Sequence, residues 1–352
     1  MIPIDRHHLF QTGFAAIAAS GADRWLAPVA RGRGVILTFH RVTPEAPPPG
    51  AYAPNRLLSI TPDFLDRTLQ CLAERGFEVI GLDAVPDRLG AGRAGRPFAV
   101  LTFDDGYRDN VEHALPVLRR HGVPWTLYVT TDFAEGTGRL WWVEMERAIG
   151  RLARIVLPEA GLDLPAADEA GKTAAFARVY AHLRAGPEDV LRAEIGRLAA
   201  QAGLDSAAIT RGLCLTWDEI RALARDEAVT IGAHTLSHPM LAKHDAVTAR
   251  GEIETPRRII AERLGRAPDH VSYPVGDPGS AGPREFRLAR EAGFATGVTT
   301  RPGHLFAGHA AHLHALPRVS INGCFQTEAA LRALLSGVPF LAWNRGRRLD
   351  VA

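Results

Sequence analysis

Short apolar runs alternate along most of the chain with segments whose apolar residues recur at helical spacing. The runs predict β-strands at 35–39, 77–80, 98–103, 125–131, 228–233, 270–273, 294–298 and 315–319. Amphipathic helices are predicted between them, for example after Thr61, an N-cap residue followed by a proline. Alternation of strand and helix is typical of a parallel sheet, and about seven or eight strands are near the number that closes a (β/α) barrel.

This alternation fails between residues 136 and 211, where alanine- and arginine-rich helical segments follow a pair of tryptophans. We interpret this stretch as a helical insertion, either a lid or substrate platform above a site or a unit packed on the outside. The predicted organisation is an N-terminal helical segment at 1–34, a barrel formed by 35–135 and 212–335, the insertion at 136–211 and a C-terminal tail at 336–352.

Composition is that of an ordinary globular protein and narrows the range of partners. Of 352 residues, 46% are hydrophobic and 23% are charged, and a formal net charge of +2 gives no argument for binding nucleic acid. The three cysteines lack the spacing of a disulfide framework or a cysteine zinc site. Because no secretory signal or membrane-spanning pattern is found, we expect a cytoplasmic protein, with peripheral membrane contact through residues 9–30 as an alternative.

Polar side chains that can carry out chemistry follow three of the predicted strands. Asp104 and Asp105 end one strand, His40 follows an earlier one, and His234 and His238 follow a later one. The carboxyl ends of parallel strands lie on one face of a barrel, so these groups are expected to lie together. A carboxylate with two histidines leaves open positions on zinc or a similar ion, as a hydrolytic site requires.

Each of these motifs also has a simpler explanation. The Asp104-Asp105-Gly106 segment is consistent with a turn, with Asp109 as the N-cap of the following helix. Two histidines four apart lie on one face of a helix or helical turn, and alone they are consistent with surface residues at a helix start. The combination of three strand ends is what favours a metal site.

Three segments together carry a resemblance to a known family. They are Thr102-Phe103-Asp104-Asp105-Gly106-Tyr107, His234-Thr235-Leu236-Ser237-His238 and Ser272-Tyr273-Pro274-Val275-Gly276. They resemble successive motifs of the polysaccharide deacetylase family, also called carbohydrate esterase family 4 or the NodB-homology domain. The resemblance covers roughly 35–131 and 212–320, and it implies a distorted (β/α) barrel of about seven strands with the helical insertion added.

The resemblance implies a metal-dependent hydrolase that removes acetyl groups from an N-acetylated saccharide. Asp105, His234 and His238 resemble the metal ligands of the family, and Asp104 resembles its general base. The implied cofactor is a divalent metal, Zn²⁺ first, with Co²⁺ or Ni²⁺ as alternatives. The implied substrate is poly-N-acetylglucosamine, a chitooligosaccharide or a related glycan. A divalent metal and an adjacent carboxylate suit such chemistry, because one polarises the carbonyl and the other takes a proton.

Three further catalytic roles are carried over on weaker matches. The backbone amide of Val275 resembles the donor that holds the oxyanion. The general acid has two candidates, and His40 is preferred over His314 because the strand before it resembles the circularly permuted branch that includes deacetylases of poly-N-acetylglucosamine. The arginine common in the third motif is absent, so Arg318 is the candidate that orients Asp104, the alternative being a surface salt bridge.

Substrate contacts are predicted for five residues, namely Tyr107, Trp141, Trp142, Tyr273 and Pro274. Aromatic faces suit the apolar side of a pyranose, although a tryptophan pair can equally serve packing and a strand-end tyrosine can be ordinary. Two other functions remain open, a deacylase of another amide or of an O-acetyl ester, and a catalytically silent saccharide-binding relative. A cytoplasmic location would suggest a lipid-linked or oligosaccharide precursor as substrate.

Overall fold

A computed structural model describes residues 6–48, 50–90 and 95–351. The strands in these ranges are β1 (Gly34–Phe39), β2 (Arg41–Val42), β3 (Ser59–Ile60), β4 (Glu78–Val79), β5 (Phe98–Phe103), β6 (Trp125–Val129), β7 (Arg154–Leu157), β8 (Leu162–Pro165), β9 (Val229–Ala233), β10 (His270–Ser272), β11 (Thr296–Pro302) and β12 (Leu316–Ser320). Most of them lie on the predicted apolar runs, because a strand buried on both faces is apolar throughout.

Seven strands form a closed parallel barrel in the order β1, β12, β11, β10, β9, β6 and β5, with β5 pairing back to β1. One edge of β5 pairs with β1, and its other edge is divided between two strands. Its first residues pair with β4, and only Thr102 and Phe103 at its end pair with β6. The barrel is therefore distorted at this strand, and the predicted (β/α) barrel of about seven strands is confirmed.

Helices cover the outside of the barrel and begin at residues that favour helix starts. The hydroxyl of Thr61 accepts a hydrogen bond from the Phe64 amide, and Thr216 forms a capping box with Glu219. The helices are α1 (Arg6–Ala19), α2 (Ala22–Trp25), α3 (Ala27–Ala30), α4 (Pro62–Glu74), α5 (Val85–Gly90), α6 (Leu115–His121), α7 (Thr131–Ala134), α8 (Trp141–Arg151), α9 (Glu169–Ala185), α10 (Glu188–Gln201), α11 (Ser206–Leu213), α12 (Trp217–Leu223), α13 (Ala246–Leu264), α14 (Pro283–Glu291), α15 (Glu328–Ser336) and α16 (Val338–Trp343).

Every second residue of a barrel strand faces the interior, and these inward rows determine where the chemistry lies. The inner apolar layer contains Ile36, Val100, Tyr128, Val298 and Leu316. The residues between them, such as Leu37 and Leu101, pack with the surrounding helices. Four residues after Ile36 and Val100, the inward rows of β1 and β5 reach His40 and Asp104, so the apolar interior ends in a polar layer.

The segment predicted as a helical insertion contains α8 to α11 and also a β-hairpin, which the sequence analysis does not predict. The hairpin pairs β7 with β8 in antiparallel register, and Ile155 and Leu157 on its buried face join the apolar core of α8, α9 and α10. Two strands of four residues each are too short for their alternation to stand out among helical segments.

Both chain ends pack on the same side of the barrel. The helix α1 lies against α15, and the ring of Phe14 contacts the ring of Phe325 at 5.3 Å between centroids. The predicted C-terminal tail contains the short helix α16. Within the described ranges, no helix combines the length and the apolar character needed to cross a membrane. The peripheral membrane contact expected through residues 9–30 stays a prediction.

The inner layer leaves no room for a side chain at Gly232, which gives a test of the barrel packing. A Cβ atom there would overlap the Tyr128 ring. We expect Gly232→Ala to lower the free energy of unfolding by about 1–3 kcal/mol, measured by urea denaturation. The control is Gly251→Ala in α13, where the Cβ atom meets open space. That substitution is expected to be neutral or stabilising, and equal losses in the two variants would contradict the packing.

Candidate active site

The polar residues at the strand ends come together at the carboxyl end of the barrel. His40, Asp104 and His234 each continue the inward-facing row of their strand by one or more residues. They form the floor of an open cleft of about 580 Å³, which Asp105 and His238 also line. The topology of the barrel therefore joins residues that lie far apart in the sequence, as the sequence analysis expects for strand ends.

Asp105, His234 and His238 lie close enough to share one ion. The Nε2 atoms of both histidines lie 3.3 Å from Asp105 Oδ1, and all three side chains are buried. His234 Nδ1 lies 2.8 Å from the carbonyl oxygen of Ser272. Since a carbonyl only accepts, Nδ1 carries the proton and Nε2 directs its lone pair towards Asp105.

The donor atoms of these three residues fit a divalent cation. In the part of the chain that the structure describes, the buried Asp105 Oδ1 makes no hydrogen bond, although two imidazole nitrogens face it. Lone pairs that face one another in a buried site repel unless a positive charge lies between them. Two imidazoles and one carboxylate are a ligand set that zinc uses when further positions stay open for water or substrate.

The two histidines do not lie on a helix, contrary to the expectation from their spacing. Residues 234–238 form an irregular loop in which Thr235 and His238 have positive φ angles of 63° and 62°. Asp105 has a φ of 71°. Neighbouring side chains of an extended strand point to opposite sides, so this left-handed residue is what allows Asp104 and Asp105 to face the same site. Each such residue costs on the order of 1–3 kcal/mol of backbone strain.

Two side chains that the sequence analysis did not single out hold the histidine loop in place. Glu252 of α13 accepts hydrogen bonds from the amides of Leu236 and Ser237 at 3.1 and 2.9 Å. Arg192 of α10 donates to the carbonyl oxygens of Ser237 and His238 at 3.2 and 3.0 Å. Both are single charged residues on long helices, and nothing in the sequence distinguishes them from surface charges.

A buried arginine from β12 holds Asp104. The Nη1 and Nη2 atoms of Arg318 donate to the two carboxylate oxygens at 2.8 and 2.6 Å, a bidentate pair. Arg318 also donates to the hydroxyl of Ser272 at 3.0 Å and to the carbonyl oxygen of Thr299 at 2.9 Å. Its side chain is fully buried, so the alternative of a surface salt bridge is wrong.

The two candidates for the general acid lie at opposite ends of the barrel. His40 lines the cleft, and its Nε2 atom lies 4.0 Å from Asp104 Oδ2. His314 precedes β12, and its Nε2 atom lies 2.8 Å from the carbonyl oxygen of Phe294, which precedes β11. His314 therefore lies at the amino-terminal end of the strands, on the far side of the barrel from Asp104.

Trp141, Trp142 and Val275 line the cleft, as the sequence analysis predicts for substrate-facing groups. The Trp142 ring lies 4.7 Å from the His238 ring between centroids. Val275 has a positive φ of 61°, which is rare for a β-branched residue. Its amide makes no hydrogen bond to any other group that the structure describes, so the N–H is available to a ligand.

Three other predicted substrate contacts lie outside the cleft. Tyr273 is buried, packs on Phe286 of α14, and donates its hydroxyl hydrogen to the carbonyl oxygen of His314 at 2.9 Å. Tyr273 directly follows β10 at a position that faces outward from the barrel, so its side chain points towards the helices. Pro274 is buried beside it and does not line the cleft. Tyr107 is buried beneath Trp142, whose Nε1 atom donates to its hydroxyl at 2.9 Å.

Asp109 does not cap the following helix, contrary to the simpler explanation of the Asp-Asp-Gly segment. Its side chain makes no capping hydrogen bond. Its carboxylate instead accepts from Arg41 Nε at 2.8 Å and from the amide of Val42 at 3.2 Å. Asp109 thus ties the loop after β1 to the loop after β5, next to the two site aspartates.

The surroundings of the site lower the pKa of both Asp104 and His40, for different reasons. Burial raises the pKa of Asp104, but the charge and hydrogen bonds of Arg318 together with the nearby His234 and His40 outweigh burial, and the pKa lies below its usual value. Burial lowers the pKa of His40, and the carboxylates of Asp105 and Asp104 offset only part of that. Asp104 is therefore ionised at neutral pH, as a proton acceptor must be, and a protonated His40 gives up its proton readily.

A family model described as polysaccharide deacetylase matches residues 91–296. The chain belongs to the polysaccharide deacetylase family. The match spans more than half of the chain and includes the Asp-Asp and His-x-x-x-His segments, which confirms the resemblance and makes the protein a deacetylase of the polysaccharide type. His40 and Arg318 lie outside the matched residues. No curated protein matches the chain.

Several solved deacetylases have a similar fold. A Streptococcus pyogenes deacetylase, PplD, in complex with acetate is 17% identical, with a TM-score of 0.55 over 83% of this chain and 94% of that chain. A de-N-acetylase from Aggregatibacter actinomycetemcomitans is 13% identical, with a TM-score of 0.52 over 86% and 99%. IcaB from Ammonifex degensii is 16% identical, with a TM-score of 0.51 over 87% and 97%. At these identities the likeness concerns the fold.

The pairing of Arg318 with Asp104 predicts non-additive effects on stability. We expect Arg318→Met to lower the free energy of unfolding by about 3–5 kcal/mol, because it leaves a buried carboxylate without its partner. Adding Asp104→Asn to that variant removes the unpaired charge and is expected to restore part of the loss. Urea denaturation of the two single variants and the double variant measures the coupling, and simple additivity would contradict a direct pair.

The three-residue cluster predicts a single high-affinity site for a divalent metal. We expect His234→Ala to weaken the binding of Zn²⁺ at least about tenfold, since it removes one of three ligands. The measurement is isothermal titration with Zn²⁺, supported by metal analysis of the purified protein. The control is His182→Ala, an exposed histidine on α9. Equal zinc affinity in the two variants would show that the cluster does not bind the ion.

Proposed function

We propose that this protein is a metal-dependent hydrolase that removes the N-acetyl group from an N-acetylated saccharide, releasing acetate and leaving a free amine. The observation that carries the proposal is the position of Asp104. It is a buried, ionised carboxylate beside the three-residue cluster. It forms part of the cleft floor, where a substrate can reach it. Family membership supports the reaction class, and the geometry supports the assignment of roles below.

Asp105, His234 and His238 would hold the metal, with Zn²⁺ as the first expectation and Co²⁺ or Ni²⁺ as alternatives. When bound, a divalent cation of this kind polarises an acyl oxygen and lowers the pKa of water. The fit rests on the donor atoms themselves, because His234 is held by Ser272 in the tautomer that directs Nε2 towards Asp105. The hydrogen bonds of Glu252 and Arg192 hold the strained loop of His234 and His238 in place without a metal.

The remaining site residues divide the proton transfers and the charge stabilisation. In our proposal, Asp104 accepts a proton from the attacking water, and Arg318 keeps its carboxylate ionised and fixed. The amide of Val275 donates a hydrogen bond to the oxygen that gains negative charge as the carbonyl is attacked. His40 donates a proton to the departing amine nitrogen, since it lines the same cleft as Asp104 and its Nε2 atom lies 4.0 Å from that carboxylate.

Acetate release tests this proposal. We expect N-acetylglucosamine oligomers to yield acetate and a free amine, and we expect a chelator to abolish the release. Asp104→Asn is expected to reduce kcat at least about a hundredfold while zinc remains bound, because it removes the proton acceptor and leaves the ligands in place. Acetate is quantified enzymatically and zinc by metal analysis.

The control for this substitution is Asp87→Asn, an exposed aspartate on α5. It makes the same chemical change away from the cleft and is expected to leave kcat unchanged. Full activity of Asp104→Asn would overturn the assignment of the base. Zinc binding without acetate release from any N-acetylated saccharide would favour another acyl substrate or a silent binding protein.

A further inference from the structure

We propose that the substrate is a saccharide that carries an aliphatic chain, and that the chain lies along one apolar wall of the cleft. This inference rests on the proposed function and specifies its substrate class. The site floor is polar, but the part of the cleft away from it is not. The apolar wall consists of Pro54, Leu57, Leu58, Trp141, Phe176, Ala177 and Tyr180.

The apolar wall offers little that a long polar glycan needs. Among the described residues that line the cleft, there is no lysine, arginine or glutamate, and the aspartates both lie on the floor. Asn55 also lines the cleft, but its side-chain amide already donates to the carbonyl oxygen of Trp142 and to Glu146. The wall therefore gives no countercharge for a phosphate or an acidic sugar and few partners for sugar hydroxyls.

The aromatic rings of the wall are arranged for packing against an aliphatic group. The ring of Tyr180 is stacked on Trp141 and on Phe176, at 6.1 Å between centroids in both cases. Together the three rings form one apolar cluster that lines the cleft. A pyranose stacks on a free aromatic face, whereas an aliphatic chain packs equally well on ring edges and on the side chains of Leu57 and Leu58.

The apolar wall continues to the surface of the molecule. Leu57 and Tyr180 are 45% and 39% exposed. Both residues line the cleft, so the apolar wall reaches its solvent-exposed rim.

Two glycosides that differ only in chain length test the proposal. The probes are the methyl and the octyl β-glycoside of N-acetylglucosamine, both used below the concentration at which the octyl compound forms micelles. Each methylene group that leaves water contributes roughly a fourfold gain in binding. We expect kcat/KM for the octyl glycoside to exceed that for the methyl glycoside by about tenfold or more, since two buried methylene groups suffice for that ratio.

Variants of exposed apolar residues locate the effect. We expect Leu57→Ser to lower kcat/KM for the octyl glycoside several-fold and to leave that for the methyl glycoside nearly unchanged. The matched control is Val247→Ser, which replaces another exposed apolar residue on α13, outside the cleft. It is expected to alter neither substrate. Because both sites are at the surface, the variants are expected to fold, which thermal unfolding can verify.

The outcomes separate this inference from the proposed function. Hydrolysis of both glycosides with equal kcat/KM would overturn the inference of an aliphatic chain. The proposed deacetylase function would remain supported. A rise of kcat/KM with the number of N-acetylglucosamine units, without a gain from the octyl chain, would identify the wall as a sugar platform and likewise overturn the inference. If no N-acetylated saccharide is hydrolysed, the proposed function itself is wrong.

Discussion

A single ion pair inside the barrel fixes the rest of the site. Arg318 and Asp104 are both almost completely buried, and neither charge is tolerable there without the other. Their bidentate contact joins β12 to the end of β5, and the hydroxyl of Ser272 adds the end of β10. The pair forms only in one register of these strands. That register also determines where the neighbouring residues His234 and Asp105 lie along the barrel axis.

Backbone strain is concentrated around this pair. Asp105, Thr235, His238 and Val275 all adopt a left-handed conformation, and among the described residues other than glycine only Arg345 shares it. An extended strand alternates its side chains, so it cannot direct two neighbouring residues into one site. The strain is the physical consequence of placing these residues and Asp104 on one floor. Hydrogen bonds between the histidine loop and the surrounding helices, such as those that Glu252 accepts, stabilise the loop in this strained conformation.

The inserted segment supplies one wall of the cleft. The barrel provides the floor with its carboxylates and histidines, whereas α8 and α9 provide Trp141, Phe176 and Tyr180. The insertion also reaches the catalytic layer directly, because Arg192 of α10 binds the carbonyl oxygens of the histidine loop. The segment therefore lines the cleft and does not pack only on the outside of the barrel.

The sequence by itself determined the barrel strands, because buried parallel strands are continuous apolar runs, and it determined the members of the three-residue cluster, because local motifs carry them. It also contained the information that Tyr273 faces away, since Val271 and Tyr273 share one side of β10. Tertiary structure alone decided the rest. Closure of the barrel brings Arg318 to Asp104 across 214 positions and carries His314 to the opposite end. Such contacts depend on strand register and burial, and no local pattern of residues encodes them.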